Sequence, residues 1–316
     1  MIKPVKLLLS RINKIRHALK IFYSLDLRLS KIQLSLGRIE SRQLLGMSTP
    51  SNFNDYEFQV FSQFGEDGLI QYLIDRIEIK NKTFIEFGVE QYKEANTRFL
   101  LINNGWSGLV MDGSSENIQL IKSDDIYWRT NLKAVSAFID SSNINKLIGD
   151  GGLHGEVGLL SIDIDGNDYW VWQSLEIVSP KIVVCEFNAL WGPELMVSIP
   201  YAPLFSRGEA HYSNLYFGAS LAAMTSLGRS KGYSLVGVNL AGNNAFFVKN
   251  DCMDGLISLS PEDAWKPAKF RESRARDGGL SYLSQGEGLE LLKDMKLVNV
   301  ETGESYLVGD LYDINK

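Results

Sequence analysis

LLSIDIDGNDYW, residues 159–170, and KIVVCEFNALWG, residues 181–192, are short apolar runs that each end in acids and amides. Neither carries a helical period, and each closes on polar residues and glycine. That is the pattern of a parallel strand buried on both faces. In an open α/β sheet, ligands bind just beyond the carboxyl ends of the strands. Asp163, Asp165, Asn167, Glu186 and Asn188 are therefore expected to line one crevice. Four of them fall in the pairs Asp-x-Asp and Glu-x-Asn, and residues two apart share a face of an extended strand. Such an array suits a hard cation or an acid/base site.

Working outward, strand and helix patterns alternate. Residues 65–78 read as a helix and 83–90 as a strand ending at Gly88. Residues 96–105 form a helix closed by Asn-Asn-Gly, a C-terminal signal. Strands follow at 107–114 and 132–140, ahead of the two opening runs. ASLAAMTSLGRSKGYSLVGVN supplies a helix and a sixth strand, and NAFFVKND a seventh, joined by a short Gly-Asn-Asn turn that makes a hairpin. The expected fold is α/β: a doubly wound, mostly parallel seven-stranded sheet with an antiparallel last strand. Its expected limits are 58–255. Residues 48–57, polar and rich in turn formers, read as a linker, and 256–316 as a C-terminal extension.

Residues 1–47 read as a separate basic helical arm. Leu8, Ile15, Ala18, Phe22, Leu25, Leu29, Ile32, Leu36 and Ile39 alternate in steps of three and four along most of their length, the heptad pattern of a coiled coil, with Arg11 breaking the seam. Residues 1–42 hold ten Lys/Arg against Asp26 and Glu40, about +8, whereas the whole chain of 316 residues carries −6. The arm suits a homo-oligomer, an anionic membrane surface, packing on the chain's own body or an acidic partner, a glycosyltransferase among them. The acidic body argues against nucleic acid. No run reaches the 18 apolar residues of a membrane span, and the N-terminus makes a poor signal peptide. Two cysteines, Cys185 and Cys252, give no disulfide framework, and a cytoplasmic placement, free or peripheral on the inner membrane face, is expected.

The first strand and its glycine turn should meet an anionic or zwitterionic ligand. A dinucleotide fingerprint would need Gly-x-Gly-x-x-Gly, but the chain has Glu86-Phe-Gly88-Val-Glu90, so NAD is disfavoured. Asp112 ends the next strand, where an acid can accept from both hydroxyls of a ribose. The ordered set FSQFGEDGLI (61–70), FIEFGVEQYKEANTRFLLINNGWSGLVMDGS (84–114), LLSIDIDGNDYWVW (159–172) and PKIVVCEFN (180–188) resembles class I S-adenosylmethionine-dependent methyltransferases, most of all the FkbM-like branch. The resemblance spans roughly residues 58–250. It implies that Glu86 lies near the methionine amino group of the cofactor, that Gly88 lets the backbone approach it, and that Asp112 holds the ribose. It places Asp163 between cofactor and acceptor, and gives Gln63 and Glu66, with Ser62, a covering role. The glycine-rich first motif is reduced to Gly88.

Methyl transfer to a hydroxyl needs an in-line approach and removal of a proton. Asp163, Glu186 and Asn188 offer hard oxygens for Mg²⁺, with Asp165 as a fourth ligand or the base. His211, in the polar and aromatic stretch 191–218, is the alternative base, and that stretch reads as a lid over the acceptor. The expected activity is O-methylation of a glycan or lipid-linked sugar. The competing readings are a catalytically silent scaffold in a glycan-synthesis complex and a nucleotide-sugar enzyme.

Overall fold

The computed structural model describes residues 2–46, 52–269 and 273–314. The chain divides into two compact units, Met1–Met47 and Ser48–Lys316. The first is one helix, α1 (Ile2–Gly46). No helix among the described residues is long and apolar enough to cross a membrane.

The second unit begins with a 3₁₀ turn at Phe53–Tyr56 and continues, in chain order, through α2 (Glu66–Arg76), β1 (Thr83–Phe87), α3 (Arg98–Asn103), β2 (Ser107–Asp112), α4 (Ser115–Ser123), α5 (Asp125–Arg129), β3 (Leu132–Ser136), α6 (Ile144–Asp150), β4 (Gly155–Ile162), α7 (Asp168–Ser174), β5 (Val178–Glu186), β6 (Val197–Ser198), α8 (Arg207–Ala210), α9 (Leu221–Ser230), β7 (Tyr233–Val238), β8 (Asn244–Lys249), α10 (Pro261–Ala264), α11 (Gln285–Leu291), β9 (Lys296–Asn299), β10 (Ser305–Leu307) and α12 (Val308–Leu311).

Seven strands form the main sheet in the order β3-β2-β1-β4-β5-β8-β7. Only β8 runs against its neighbours, pairing antiparallel with β5 and β7. The doubly wound sheet and its antiparallel last strand therefore agree with the sequence expectation. The chain leaves β1 for β2 and β3 on one side, then returns to β4 and β5 on the other. This reversal opens a crevice over the carboxyl ends of β1 and β4, the topological switch point.

The strands are buried because their apolar residues alternate onto two covered faces. Ile85, Phe87, Leu109, Met111, Leu160, Ile162, Val183, Cys185 and Phe247 all belong to one cluster on one face, each at most 1% exposed. Burial of each large aliphatic or aromatic side chain is worth roughly 1.5–3 kcal/mol. Cys185 is a small core residue whose thiol pKa burial pushes up, which leaves it inert.

Two expected boundaries move. Residues 52–57, read as linker, dock on the sheet instead: Asn54 Nδ2 donates to the Val238 carbonyl at 2.7 Å, and Phe53 meets Phe246 edge-on at 5.5 Å. Residues 48–51 of that stretch lie outside the described residues. The 256–316 segment belongs to the same compact unit as the sheet. Its strands β9 and β10 join β6, from the 191–218 stretch, in a small antiparallel sheet. Trp191, Val197, Ile199, Tyr216, Leu292, Leu297 and Val308 close a second core between them. The expected lid and the expected extension are thus one packed assembly.

Candidate functional site

A cavity of about 440 Å³ opens at the switch point. Its walls include Gln63, the turn after β1 (Glu86 to Glu90), Glu94 to Asn96, Asp163, Asp165, the end of β5 (Glu186 to Leu190), Arg207, Asn243 and Asn244. The C-terminal segment completes it with Trp265, Pro267, Ala268, Ser273 and Leu283 to Gln285.

The β4 tip is shaped by Asp168. Its Oδ1 accepts from Ile164 N and its Oδ2 from Gly166 N, both at 2.9 Å. Burial pushes its pKa up to about 6. Asp165 sits inside this turn with φ +57°. Asp163 and Asp165 are therefore brought together by a turn and not by strand alternation, since β4 ends at Ile162. Glu186, the last residue of β5, joins them: one carboxylate oxygen from each of Asp163, Asp165 and Glu186 lies within 4.8 Å of the others.

This cluster is electrostatically unsatisfied. Glu186 is 7% exposed, and its Oε2 is buried without a hydrogen-bond partner. Burial, then the neighbouring carboxylates, hold the pKa values of Asp163 and Glu186 well above the usual range. Among the described residues one cation answers them, Arg207, whose Nη1 lies 3.0 Å from Asp165 Oδ1 while its guanidinium packs 3.8 Å from the Phe217 ring centroid. Directly across the β5–β8 ladder from Glu186 stands Asn244, whose Oδ1 is likewise buried without a partner.

Asn188 lines the cavity and is largely engaged by the chain itself. Its Nδ2 donates to the Leu215 and Phe217 carbonyls, each at 3.0 Å, and its Oδ1 accepts from Leu190 N. Both amide donors pin the 191–218 stretch while the oxygen keeps one acceptor site, and Asp165 is the third acid of the cluster. His211 is not among the cavity-lining residues. Its Nδ1 lies 2.7 Å from Ser213 Oγ, and burial together with Arg276 holds its pKa down. Asn167 Nδ2 donates to the Ala202 carbonyl at 2.7 Å, so it anchors the lid.

The residues expected around a cofactor are largely engaged by the chain itself. Glu86 accepts from Asn96 N, Thr97 N and Thr97 Oγ1, and burial pushes its pKa up to about 7. Asp112 accepts from Glu90 N at 2.7 Å, Ser114 N at 2.8 Å and Asn117 Nδ2 at 3.1 Å. A carboxylate has about four lone-pair sites. Ser161 also hydrogen-bonds Glu86, whose sites are then filled, whereas Asp112 retains room for about one further donor and so for one ribose hydroxyl, where two were expected. Asp112 is also outside the cavity-lining set.

Gly88 is required by backbone contact. It has φ +70°, and a Cβ there would stand 1.6 Å from the Asp163 carbonyl oxygen. The sequence assigned this glycine to cofactor approach, but the first atom it must clear is on β4. Glu66 is fully buried and accepts from Phe64 N, Gly65 N, Asn239 Nδ2 and Asn244 Nδ2. Asp67 gathers three backbone N–H groups, of Val60, Phe61 and Ser62, on one oxygen. These two acids fold the segment before α2 and leave Gln63 exposed to the cavity. Asp67, Asn96, Asn244 and the C-terminal wall were missed in the sequence. Glu-Asp at a helix start signalled Asp67 as a cap; nothing local signalled the rest.

No family model matches the chain, and no curated protein sequence matches it. Among solved structures, it is similar to the N-terminal domain of EvdMO1 with S-adenosylhomocysteine (SAH) bound, at 12% identity over 67% of this chain and 94% of that one, TM-score 0.39. It is similar to an O-methyltransferase from Bacillus cereus in complex with SAH, at 12% identity over 69% and 91%, TM-score 0.37. The CurJ carbon methyltransferase aligns at 9% identity over 63% of this chain, which spans 57% of that protein, with TM-score 0.40. The fold itself rests on the strand order: a seven-stranded sheet reversed only at β8, with its cavity at the switch point.

Proposed function

We propose that the chain is an S-adenosylmethionine-dependent O-methyltransferase, similar to the FkbM-like branch, acting on a sugar hydroxyl of a glycan or lipid-linked sugar. The observation that carries this reading is the charge of the cavity. Among the described residues, Glu86, Glu90, Glu94, Asp163, Asp165 and Glu186 line it against one guanidinium, that of Arg207. S-adenosylmethionine brings a sulfonium and an ammonium to such a wall, whereas a nucleotide-sugar brings phosphates that the same acids repel. The volume of about 440 Å³ falls within the roughly 300–1,000 Å³ of ordinary ligand pockets.

Asp163, Asp165 and Glu186 fit a hard divalent cation, because the buried Glu186 Oε2 has no donor and three close carboxylates need positive charge. Bound Mg²⁺ would lower the pKa of an acceptor hydroxyl. Arg207 orients Asp165, the most exposed acid of the three, which serves either as a ligand of the ion or as the base that accepts the hydroxyl proton. Gln63 and the Gly88–Glu90 backbone also line the cavity, with Gly88 against the Asp163 backbone, and are the groups offered to the cofactor.

The silent-scaffold reading draws support from the nearly filled carboxylates of Glu86 and Asp112. Incubation with methyl-tritiated S-adenosylmethionine and extracts of the host cell separates the two. Label in the polysaccharide or glycolipid fraction, dependent on Asp163, is the expected result. Label confined to protein or nucleic acid, or no transfer to any fraction, would overturn the proposal.

A further inference from the structure

The arm carries an apolar stripe that faces solvent. Ile15, Leu25, Leu29, Ile32, Leu36 and Ile39 are between 46% and 62% exposed along α1. In heptad terms Ile15, Leu29 and Leu36 occupy position a, and Leu25, Ile32 and Ile39 position d. We infer that this stripe assembles with further copies of the same chain into a parallel coiled coil of three or four strands.

Residue identity sets the number of strands. The last two heptads place leucine at a (Leu29, Leu36) and isoleucine at d (Ile32, Ile39). Isoleucine at a with leucine at d favours two strands, and the reverse order found here favours three or four. The flanks agree. Leu19 at position e and Ile21 at position g are 61% and 47% exposed, which widens the apolar face beyond what a two-stranded seam covers.

Charge sets the orientation. In a parallel assembly each g position meets the e position five residues on in its neighbour. These pairs are Lys14 with Leu19, Ile21 with Asp26, Arg28 with Gln33 and Ser35 with Glu40, and none opposes like charges. An antiparallel assembly sets g against g, where Lys14, Arg28 and Arg42 would repel. Among the other cations from Lys14 onward, Arg16, Lys20, Lys31 and Arg38 are exposed at positions b, c and f, on the outside of such a bundle, while Arg11 falls at position d and interrupts the seam before Ile15.

Light scattering of the full chain behind a sizing column tests this. The wild type should weigh three or four times the 35.4 kDa chain mass. A fourfold exchange, Leu29→Ile, Ile32→Leu, Leu36→Ile and Ile39→Leu, keeps every methylene and should reduce the assembly to two chains. Leu29→Asp with Leu36→Asp should give single chains with an unchanged near-ultraviolet spectrum of the body. A wild-type mass of one or two chains overturns the inference, as does an exchange that leaves the mass unaltered. Single wild-type chains that sediment with phosphatidylglycerol vesicles would assign the stripe to a bilayer instead.

Discussion

Glu186→Gln should stabilise the protein while impairing its site. The side chain keeps its shape, so the core around β5 is undisturbed. What changes is charge: the wild-type carboxylate has one buried oxygen without a donor and two further acids within 4.8 Å. Leaving a buried polar group unsatisfied costs about 1–3 kcal/mol. The amide removes the like-charge repulsion and can donate toward Asp163, so a gain of about 1–2 kcal/mol is expected in EDTA. For a unit of this size that is about 2–6 °C in Tm. The pH dependence has a definite sign. Glu186 has a folded pKa raised above its ordinary 4.5. Above pH 4.5 the folded state binds more protons than the unfolded one, and wild-type stability falls as pH rises from there toward the folded pKa. The glutamine variant loses that slope. Scanning calorimetry with Mg²⁺ in place of EDTA gives the other half: ligand at a hundred times its Kd should add about 2.7 kcal/mol to the wild type and much less to the variant. A variant that is less stable in EDTA, or a wild type indifferent to both Mg²⁺ and pH, would refute the reasoning.

Gly88→Ala should cost about 3–5 kcal/mol, combining a left-handed backbone with a Cβ 1.6 Å from the Asp163 carbonyl oxygen, and relief of that clash moves Asp163 itself; urea unfolding within 0.5 kcal/mol of wild type would contradict it. Glu86 has a folded pKa of about 7, so its contribution is lost between about pH 4.5 and 7, a fall of about 3 kcal/mol for a 2.5-unit shift. Glu86→Gln should flatten the stability profile across that window, and a profile unchanged by the substitution would count against the assignment. Leu297→Ala, at a side chain with no exposure, should cost about 2–5 kcal/mol and raise the hydrogen exchange of residues 189–199, because β6 and β9 share one core. Exchange raised only in the C-terminal strands would contradict that coupling.

The sheet was legible because its strands carry their own signature. Buried parallel strands show as unbroken apolar runs, and LLSI and IVVC are each at most 1% exposed. The acids at their tips were legible for the same reason, being the first polar residues after each run. What each acid does was not. Asp163, Asp165 and Glu186 converge, but the Asp-x-Asp pair meets through a turn held by Asp168, four and two residues from the backbone groups it binds. Asn188 has the composition of a ligand and the geometry of a peg. Asp112 looks like an open ribose acceptor in one dimension, whereas Glu90, which has φ +46°, donates its N–H to it. The C-terminal wall was not visible at all. Trp265, Ser273 and Gln285 reach the cavity from far along the chain, Trp265 packed on the main core and Gln285 donating to the Leu190 carbonyl, and no local period records such contacts.

Calorimetric titration with S-adenosylhomocysteine tests the central claim most directly, run on the wild type, on Asp163→Asn and on Asp112→Ala. The account predicts micromolar binding to the wild type, weakened in Asp163→Asn through the cavity wall and weakened less in Asp112→Ala, which has about one free acceptor site to lose. No binding to the wild type, or wild-type affinity retained in Asp163→Asn, would contradict the placement of the cofactor in this cavity.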